Sequence, residues 1–196
     1  MELARVAAIH IEDQIMPKRC GHLEGKELVS SEEMIKKIVA AKEAATTDMM
    51  LIARTDAGAV EGFDAAVDRA RTYVRAGAEM IFPEALETEE EFAEFARKIG
   101  APLLANMTEF GKTPYITAAR FHKMGYKVVI FPMTAFRVML KSVLQSYSEL
   151  LGRGTQRRML VKMMTRKEIY DLIDYRRYEQ ADARTLSKAS QILSTD

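Results

Sequence analysis

The sequence of 196 residues has no tryptophan, and its single cysteine, Cys20, excludes an intramolecular disulfide. A chain without disulfides is typical of the reducing cytosol, so the cytoplasm is the expected compartment. No apolar run approaches the roughly 20 residues that a membrane-spanning helix needs. Residues 1–5 have no basic segment followed by a long apolar core, and no signal peptide is predicted.

An excess of charge of one sign is also missing. The chain has 29 Lys and Arg against 28 Asp and Glu, a formal net charge of +1. A nucleic-acid-binding surface needs a basic face, so this balance argues against a nucleic-acid partner. The 48% apolar and 29% charged content is that of an ordinary globular protein, and the length suits one domain.

Five short apolar runs are present. Each is too short for a helix core and too continuous for a half-exposed strand, which favours strands of a parallel sheet buried on both faces. The runs are 6–11, 49–53, 79–82, 102–105 and 127–131.

Stretches with helical periodicity separate the runs. Ser31-Glu32-Glu33 is typical of a helix N-terminus, and glycines follow several of the later stretches as helix-stop residues. Alternation of strands and helices predicts right-handed crossovers and a parallel sheet. We expect one domain over residues 1–182, followed by a polar tail at 183–196. After the helix that Ser31 opens, the predicted helices are 64–76, 88–99, 117–124, 134–151 and 165–182.

Polar side chains follow every predicted strand. In a β/α barrel the strand ends converge on one face and hold the active site, although polar residues also end strands simply because loops are solvated. Five such endings in one parallel sheet favour the first interpretation. The endings are Glu12-Asp13-Gln14, Arg54-Thr55-Asp56, Pro83-Glu84, Asn106-Met107-Thr108-Glu109 and Pro132-Met133-Thr134.

The number of strands leaves two interpretations open. A closed barrel has eight strands, and the sequence predicts five. Five strands would suit an open, doubly wound sheet, but no glycine-rich nucleotide fingerprint follows the first strand. Either the sheet is open, or the chain lacks the first three strand–helix units of a barrel.

The segment 17–22, Pro-Lys-Arg-Cys-Gly-His, resembles the signature of the isocitrate lyase and phosphoenolpyruvate mutase superfamily. The resemblance covers the chain up to about Asp182. It implies a partial TIM (β/α)8 barrel: the last five βα units plus C-terminal helices, without the Ser-Gly-Gly loop and metal-binding aspartates of the family's first three strands. Further matching segments are Ala53-Arg54-Thr55-Asp56-Ala57, Phe82-Pro83-Glu84-Ala85, 105–111 and 131–137.

Within the superfamily, Lys-Arg-Cys-Gly-His is similar to the lyases rather than to the phosphonate mutases. Segment 106–111 resembles that of 2-methylisocitrate lyases, because Phe110 stands where isocitrate lyases have a second serine. The resemblance implies a Mg2+-dependent carbon–carbon lyase that cleaves the tricarboxylate 2-methylisocitrate to pyruvate and succinate in propionate catabolism. The alternatives are another superfamily enzyme, acting on isocitrate, dimethylmalate or a phosphonate, and a truncated, inactive barrel fragment.

Cys20 is the expected proton donor for the carbanion that this cleavage leaves. It lies among Lys18, Arg19 and His22, a cationic setting of the kind found around reactive thiols, and its segment has the composition of a mobile lid. Lys18 and His22 complete the predicted catalytic group, and His22 is also expected to bind a carboxylate. A free cysteine is otherwise most often a small buried apolar residue.

The resemblance also implies roles at the strand ends. Glu12 is expected in the magnesium site through a water, with Asp13 in support. Arg54 would bind a substrate carboxylate through its fork of donors, or form an ion pair with Asp56. Arg137 is expected to brace the site, and a helix near 165–182 to exchange between subunits of a homo-oligomer, often a tetramer in this family. The remaining predicted substrate-binding residues are Gly21, Glu84, Asn106 and Thr108.

Overall fold

Strands and helices alternate in the computed structural model, which describes residues 1–194. The five predicted strands and the alternation with helices are confirmed. The strands are β1 (Ala8–Glu12), β2 (Met50–Thr55), β3 (Met80–Pro83), β4 (Leu104–Asn106) and β5 (Val128–Ile130). The helices are α1 (Ser31–Ala44), α2 (Phe63–Arg75), α3 (Glu89–Lys98), α4 (Ala118–Met124), α5 (Thr134–Arg153), α6 (Arg166–Leu172) and α7 (Tyr175–Leu193).

The chain divides into two compact units, Met1–Val138 and a second unit from Met139 onward. The first contains all five strands. Helix α7 continues to Leu193, through most of the segment expected as a polar tail, and Thr195 and Asp196 of that tail lie outside the described residues. The division into 1–182 and 183–196 stays a prediction.

All strand pairs in the first unit are parallel. Strands β1, β2 and β3 form one sheet, in which Glu12 pairs with Arg54 and Arg54 with Phe82. Strands β4 and β5 form a second pair. A parallel bridge between Ile81 and Leu103 joins β3 to β4, so the spatial order of the strands follows the chain. The predicted α/β class with a parallel sheet is therefore confirmed.

The two faces of this sheet carry different sets of side chains, because successive side chains of a strand point to opposite faces. Leu51, Ala53 and Ile81 belong to the main core, which includes residues of helices α1 to α4. On the other face, Ile52 and Phe82 belong to a smaller apolar cluster with Met80 and Leu104. The even-numbered residues of β2, β3 and β4 therefore share the face opposite the helices.

Three rings fill the main core beneath α3 and α4. Phe92, Phe121 and Tyr126 pack edge to face, with ring centroids 5.0 to 5.6 Å apart, and each is almost fully buried. This arrangement aligns the positive ring edges with negative ring faces. The rings belong to the same core cluster as Leu103 and Ala105 of the β4 segment.

Helix α5 continues through Gly152 to Arg153, two residues beyond its predicted end, and α2 and α3 are each shifted by one residue at their ends. Two further differences from prediction have a local cause. The N-cap of α1 is Ser30 rather than Ser31, since the Ser30 side chain accepts a hydrogen bond from the Glu33 N–H at 3.1 Å. The single helix expected over 165–182 is two helices, because Asp174 adopts a left-handed conformation with φ of 50° between α6 and α7. Aspartate tolerates that conformation better than most residues, and it interrupts the helical hydrogen bonds.

The second unit consists of the rest of α5, a 3-10 turn (Arg157–Lys162), α6 and α7. Large apolar side chains on it remain exposed, among them Leu151, Val161, Leu172 and Leu186. A search of residues 1–194 finds no helix with the length and apolar character needed to cross a membrane.

Candidate active site

Four of the predicted site residues lie at the carboxyl ends of neighbouring strands. Glu12 ends β1, Arg54 lies near the end of β2, Glu84 follows β3 and Asn106 ends β4. All four positions are even-numbered, as are Ile52 and Phe82, so the alternation of the strands places them on the face opposite the helices. The tertiary structure therefore brings together residues that are 94 positions apart in the sequence.

Glu84 lies at the centre of this group and is almost fully buried. Its carboxylate lies 3.1 Å from Arg54 Nη1 and 3.2 Å from His22 Nε2, and it accepts hydrogen bonds from Asn106 Nδ2 at 3.3 and 3.4 Å. Burial by itself raises the pKa of Glu84, but the interaction with His22 and the charge of Arg54 outweigh burial, so the pKa lies below its usual value. Glu84 is thus a buried anion that lies against Arg54 and His22 and accepts hydrogen bonds from Asn106.

Arg54 connects three carboxylates. It donates to Asp56 from Nε at 2.9 Å and from Nη2 at 3.2 Å, and its Nε also lies 3.1 Å from Glu12 Oε2. The guanidinium lies 5.1 Å from the centre of the Phe82 ring. Burial lowers the pKa of Arg54, and the surrounding carboxylates more than reverse that effect. The sequence left open whether Arg54 pairs with Asp56 or faces the site. In the structure Arg54 does both, since it pairs with Asp56 and also contacts Glu12 and Glu84.

Three buried polar atoms around this group have no hydrogen-bond partner within residues 1–194: Glu12 Oε2, His22 Nε2 and Asn106 Oδ1. Glu12 Oε2 lies within ion-pair distance of Arg54 Nε, but the single Nε hydrogen is donated to Asp56. Buried polar groups without partners are rare in folded proteins and indicate a bound ligand or water. The three atoms make the space between the strand ends the candidate binding site.

The segment between Gln14 and Leu28, called the flap below, closes over the strand ends. A Cβ atom added at Gly21 would lie 2.7 Å from Glu84 Cδ and 2.9 Å from Arg54 Nη2. On the far side, His22 Nδ1 accepts a hydrogen bond at 3.1 Å from the Lys112 N–H of the loop after β4. The flap therefore contacts both the buried cluster and the opposite rim of the site.

Cys20 is exposed on the flap, one residue from the glycine that touches Glu84 and Arg54. The neighbouring basic residues are engaged with other partners. Lys18 Nζ lies 3.6 Å from Glu12, Arg19 donates to the Glu24 carbonyl, and His22 faces Glu84. Their charges are therefore directed to groups other than the Cys20 thiol, and its catalytic role stays a prediction.

The other predicted residues lie at the rim. Thr108 is half-buried just after β4 and joins none of the hydrogen bonds described for residues 1–194. Arg137, at the start of α5, lies 3.3 Å from Glu109 and 5.1 Å from the centre of the Phe110 ring. Thr134 also donates to Glu109. Arg137 thus holds the loop after β4.

A second polar network lies on the helix side of the sheet, beneath the site. The buried carboxylate of Asp13 accepts from Thr55 Oγ1 at 2.7 Å, Tyr73 OH at 2.9 Å and the Asp56 N–H at 3.0 Å. Arg69 lies 3.6 Å away. Burial raises the pKa of Asp13, and these donors only partly offset it. Asp13 therefore ties the loop after β2 to helix α2 rather than facing the site.

Sequence reasoning gave Asp56 only as a possible ion-pair partner of Arg54 and assigned no role to Gln14 or Lys26. All three are buried and contact the flap or Arg54. Lys26 had one available signal, because Gly25-Lys26 follows the family motif at 17–22 after only two residues. A polar residue inside an otherwise exposed loop carries no periodic pattern, so the burial of Gln14 and Lys26 is a property of the tertiary structure alone.

Residues 1–151 match the family model of phosphoenolpyruvate phosphomutase. The chain belongs to this family. It is 57% identical over 194 residues to a 2-methylisocitrate lyase of Aeropyrum pernix, which covers 99% of this chain and 63% of that protein. The crystal structure of a 2,3-dimethylmalate lyase, a member of the PEP mutase/isocitrate lyase superfamily, matches with a TM-score of 0.83 and 35% identity over 92% of this chain and 60% of its own.

The structure of a phosphonopyruvate hydrolase in complex with oxalate and Mg2+ also matches this chain, with a TM-score of 0.78 and 29% identity. The match covers 94% of this chain and 65% of the hydrolase chain. The predicted membership of the superfamily is therefore confirmed. The chain spans about three fifths of the length of the curated relatives that it matches.

Proposed function

We propose that this chain carries part of the active site of a carbon–carbon lyase that cleaves 2-methylisocitrate to pyruvate and succinate. The observation that carries the proposal is the buried cluster in which Glu84 is held by Arg54, Asn106 and His22, directly under the segment that contains Cys20. The 57% identity to a 2-methylisocitrate lyase supports the choice of substrate.

The proposed architecture is five consecutive βα units of a (β/α)8 barrel. The family resemblance implies that these are the last five of the eight units. The parallel strands are adjacent in chain order, whereas a doubly wound sheet reverses its order at a switch point. The apolar cluster opposite the helices supports this architecture, since the interior of such a barrel is filled by side chains. The proposal also includes the C-terminal helices, which belong to the second unit.

The residues of the site have distinct proposed roles. Arg54 would bind a carboxylate of the tricarboxylate substrate, since its planar fork matches a carboxylate. Glu84, Asn106 and Thr108 would hold the succinate half by hydrogen bonds, with the Gly21 backbone and His22 above it. Cleavage leaves a carboxylate-stabilised carbanion, and the Cys20 thiol would protonate it, with Lys18 beside it. The contact of Gly21 with Glu84 supports this placement of the thiol.

Magnesium belongs to the proposal, with Glu12 as one ligand through a water. The unsatisfied Glu12 Oε2 fits that role. Within residues 1–194, no group of three His, Cys, Asp or Glu side chains is arranged as a metal site. A bound Mg2+ would stabilise developing negative charge on a substrate oxygen.

The proposed enzyme is a cytoplasmic homo-oligomer, a tetramer by family resemblance, in which the helices near 165–182 pack on another subunit. The exposed apolar side chains of α6, among them Ile169 and Leu172, support this packing. Sedimentation of the chain should give a species larger than a monomer. A compact monomer across a range of concentrations would contradict the proposed helix exchange.

The test is product formation by a protein that contains this chain, assayed with Mg2+ on 2-methylisocitrate, isocitrate and 2,3-dimethylmalate. Pyruvate from 2-methylisocitrate is the expected main product. Cys20→Ser should lower turnover by about two orders of magnitude or more, because a hydroxyl is a much weaker acid than a thiol. Glyoxylate from isocitrate as the main product, faster cleavage of 2,3-dimethylmalate, or no cleavage of any substrate would overturn the proposal.

A further inference from the structure

Only three residues of the flap are buried: Gln14, Gly21 and Lys26. Residues 15–20 are exposed throughout, including Ile15 and Met16, and so is Leu23 on the return segment. A loop that buries no large apolar side chain gains little from the hydrophobic effect. Its position must therefore depend on specific polar contacts.

Gln14 holds the flap on the N-terminal side of Cys20. Its Oε1 accepts from the Arg19 N–H at 2.9 Å, and its Nε2 donates to the Arg19 carbonyl at 3.0 Å. The amide group of Gln14 thus forms hydrogen bonds with both the backbone N–H and the backbone carbonyl of Arg19. Gln14 itself is fixed at the base of the flap, where Ile15 N–H donates to the Glu27 carbonyl at 2.9 Å.

Lys26 holds the flap on the other side of Cys20. Its ammonium group donates to the Gly21 carbonyl and lies 3.8 Å from Asp56 Oδ1, with both side chains almost fully buried. Asp56 is in turn bound by Arg54 and, through its N–H, by Asp13. Lys26 therefore connects the flap to the same loop that orients the substrate-binding arginine.

We infer that Gln14 and Lys26 are positioning residues that fix the backbone on both sides of Cys20 and so aim its thiol at the strand-end site. The carbonyls of Arg19 and Gly21 are held by these two side chains, and the Cys20 carbonyl accepts from the Leu23 N–H at 2.9 Å. Three consecutive carbonyls are thus occupied, which leaves the Cys20 backbone little freedom. The inference rests on the proposed role of Cys20 as proton donor.

The closed position also explains the burial of Lys26. A buried ammonium group is costly unless it is paired and hydrogen-bonded, and here Asp56 and the Gly21 carbonyl provide both interactions. Lys26 and Gly21 both belong to the flap, so an outward movement of the flap would separate the Lys26 ammonium group from Asp56. The buried charge therefore favours the closed flap.

The experiment uses Lys26→Met and Gln14→Glu. Methionine replaces most of the length of the lysine side chain but cannot pair with Asp56 or donate to the Gly21 carbonyl. Glutamate keeps the acceptor for the Arg19 N–H but has no donor for the Arg19 carbonyl. Lys36→Met is the matched control, since Lys36 is an exposed helix residue whose ion pair with Glu33 lies on the surface.

The first measurement is independent of activity. Limited trypsin cleavage after Lys18 and Arg19, identified by mass spectrometry, reports how often the flap opens. We expect cleavage to accelerate about tenfold in each flap variant, in line with the loss of one charged or bidentate hydrogen-bond contact, and to stay unchanged in the control. Equal cleavage in all variants would overturn the inference.

The second measurement is turnover of the lyase reaction. Misplacing a proton donor without removing a substrate contact should lower kcat by about tenfold or more and change KM far less. A change confined to KM would contradict a positioning role. If Lys26→Met does not fold, as judged by circular dichroism, Gln14→Glu decides the question. If Cys20→Ser retains full turnover, the proposed function of the thiol fails, while the trypsin result still decides whether Gln14 and Lys26 hold the flap.

Discussion

Gly21 and Glu84 touch across the site, so that any side chain at position 21 would overlap the buried carboxylate group. Glycine is required here by close approach, since its backbone does not adopt a positive φ. The contact makes closure of the flap depend on the absence of a single methyl group. The close approach of Gly21 to Glu84 therefore allows the flap to rest on the strand ends.

Gly21→Ala should therefore prevent full closure. The new Cβ would meet Glu84 Cδ at 2.7 Å and Arg54 Nη2 at 2.9 Å, distances that require the flap to move outward. Trypsin cleavage after Lys18 and Arg19 should become faster than in the parent chain. Gly100→Ala is the control, because a Cβ there meets no atom within 4 Å. Equal cleavage of the two variants would show that the flap does not rest on Glu84.

The lowered pKa of Glu84 predicts a pH-dependent contribution to stability. A carboxyl group whose pKa is lower in the folded state stabilises the fold above its ordinary pKa of 4.5. That contribution is lost as the pH falls through the lower, folded-state pKa. The difference in unfolding free energy between the parent chain and Glu84→Gln, measured by urea unfolding, should thus shrink below about pH 4.5. A difference that is constant between pH 7 and pH 3 would contradict this expectation.

Asp13→Asn should destabilise the chain although the two side chains have the same shape. Thr55, Tyr73 and the Asp56 N–H all donate to Asp13, and an asparagine NH2 group cannot accept from them. Leaving a buried donor without a partner costs about 1–3 kcal/mol. Urea unfolding at pH 7 measures the change in unfolding free energy. Asp48→Asn, at an exposed position, should change it by less than about 0.5 kcal/mol.

Phe121→Ala tests the aromatic core that supports β4. The ring is fully buried between Phe92 and Tyr126, and its removal leaves a cavity that costs about 3–5 kcal/mol. Phe110→Ala removes an exposed ring that contacts Arg137, and should cost about 1 kcal/mol or less. Thermal or urea unfolding of both variants provides the comparison. Similar losses for the two would mean that the rings at 92, 121 and 126 do not form one packed core.

Local patterns were sufficient to predict the elements of the first unit. Runs such as 49–53 are continuous and apolar because strands of a parallel sheet are covered on both sides, and that requirement is visible in the sequence. The family motif around Cys20 indicated the strand ends as the expected place of the chemistry, which stays a prediction. The break at Asp174 was not predicted, because one residue in a left-handed conformation leaves the helical periodicity on both sides intact.

The partners of each polar side chain were decided only by the tertiary structure. Glu12 and Asp13 are neighbours in the sequence, yet Glu12 lies with Arg54 on the site face and Asp13 binds Thr55 and Tyr73 on the helix side. The alternation of side chains along β1 separates them, but which neighbour each one meets depends on strand register and helix packing. Gln14 and Lys26 illustrate the same limit, since their burial arises from a loop fold that has no sequence period.

The sequence by itself therefore determined the strands, most helix boundaries, the polar strand ends and the family. The tertiary structure decided that Glu84 is the centre of the site, that Asp56 is shared by Arg54 and Lys26, and that the flap is held by polar contacts. The physical reason is range. Hydrophobic periodicity acts between residues a few positions apart, whereas an ion pair or a hydrogen bond is selected only after distant segments have been brought within about 3 Å of each other.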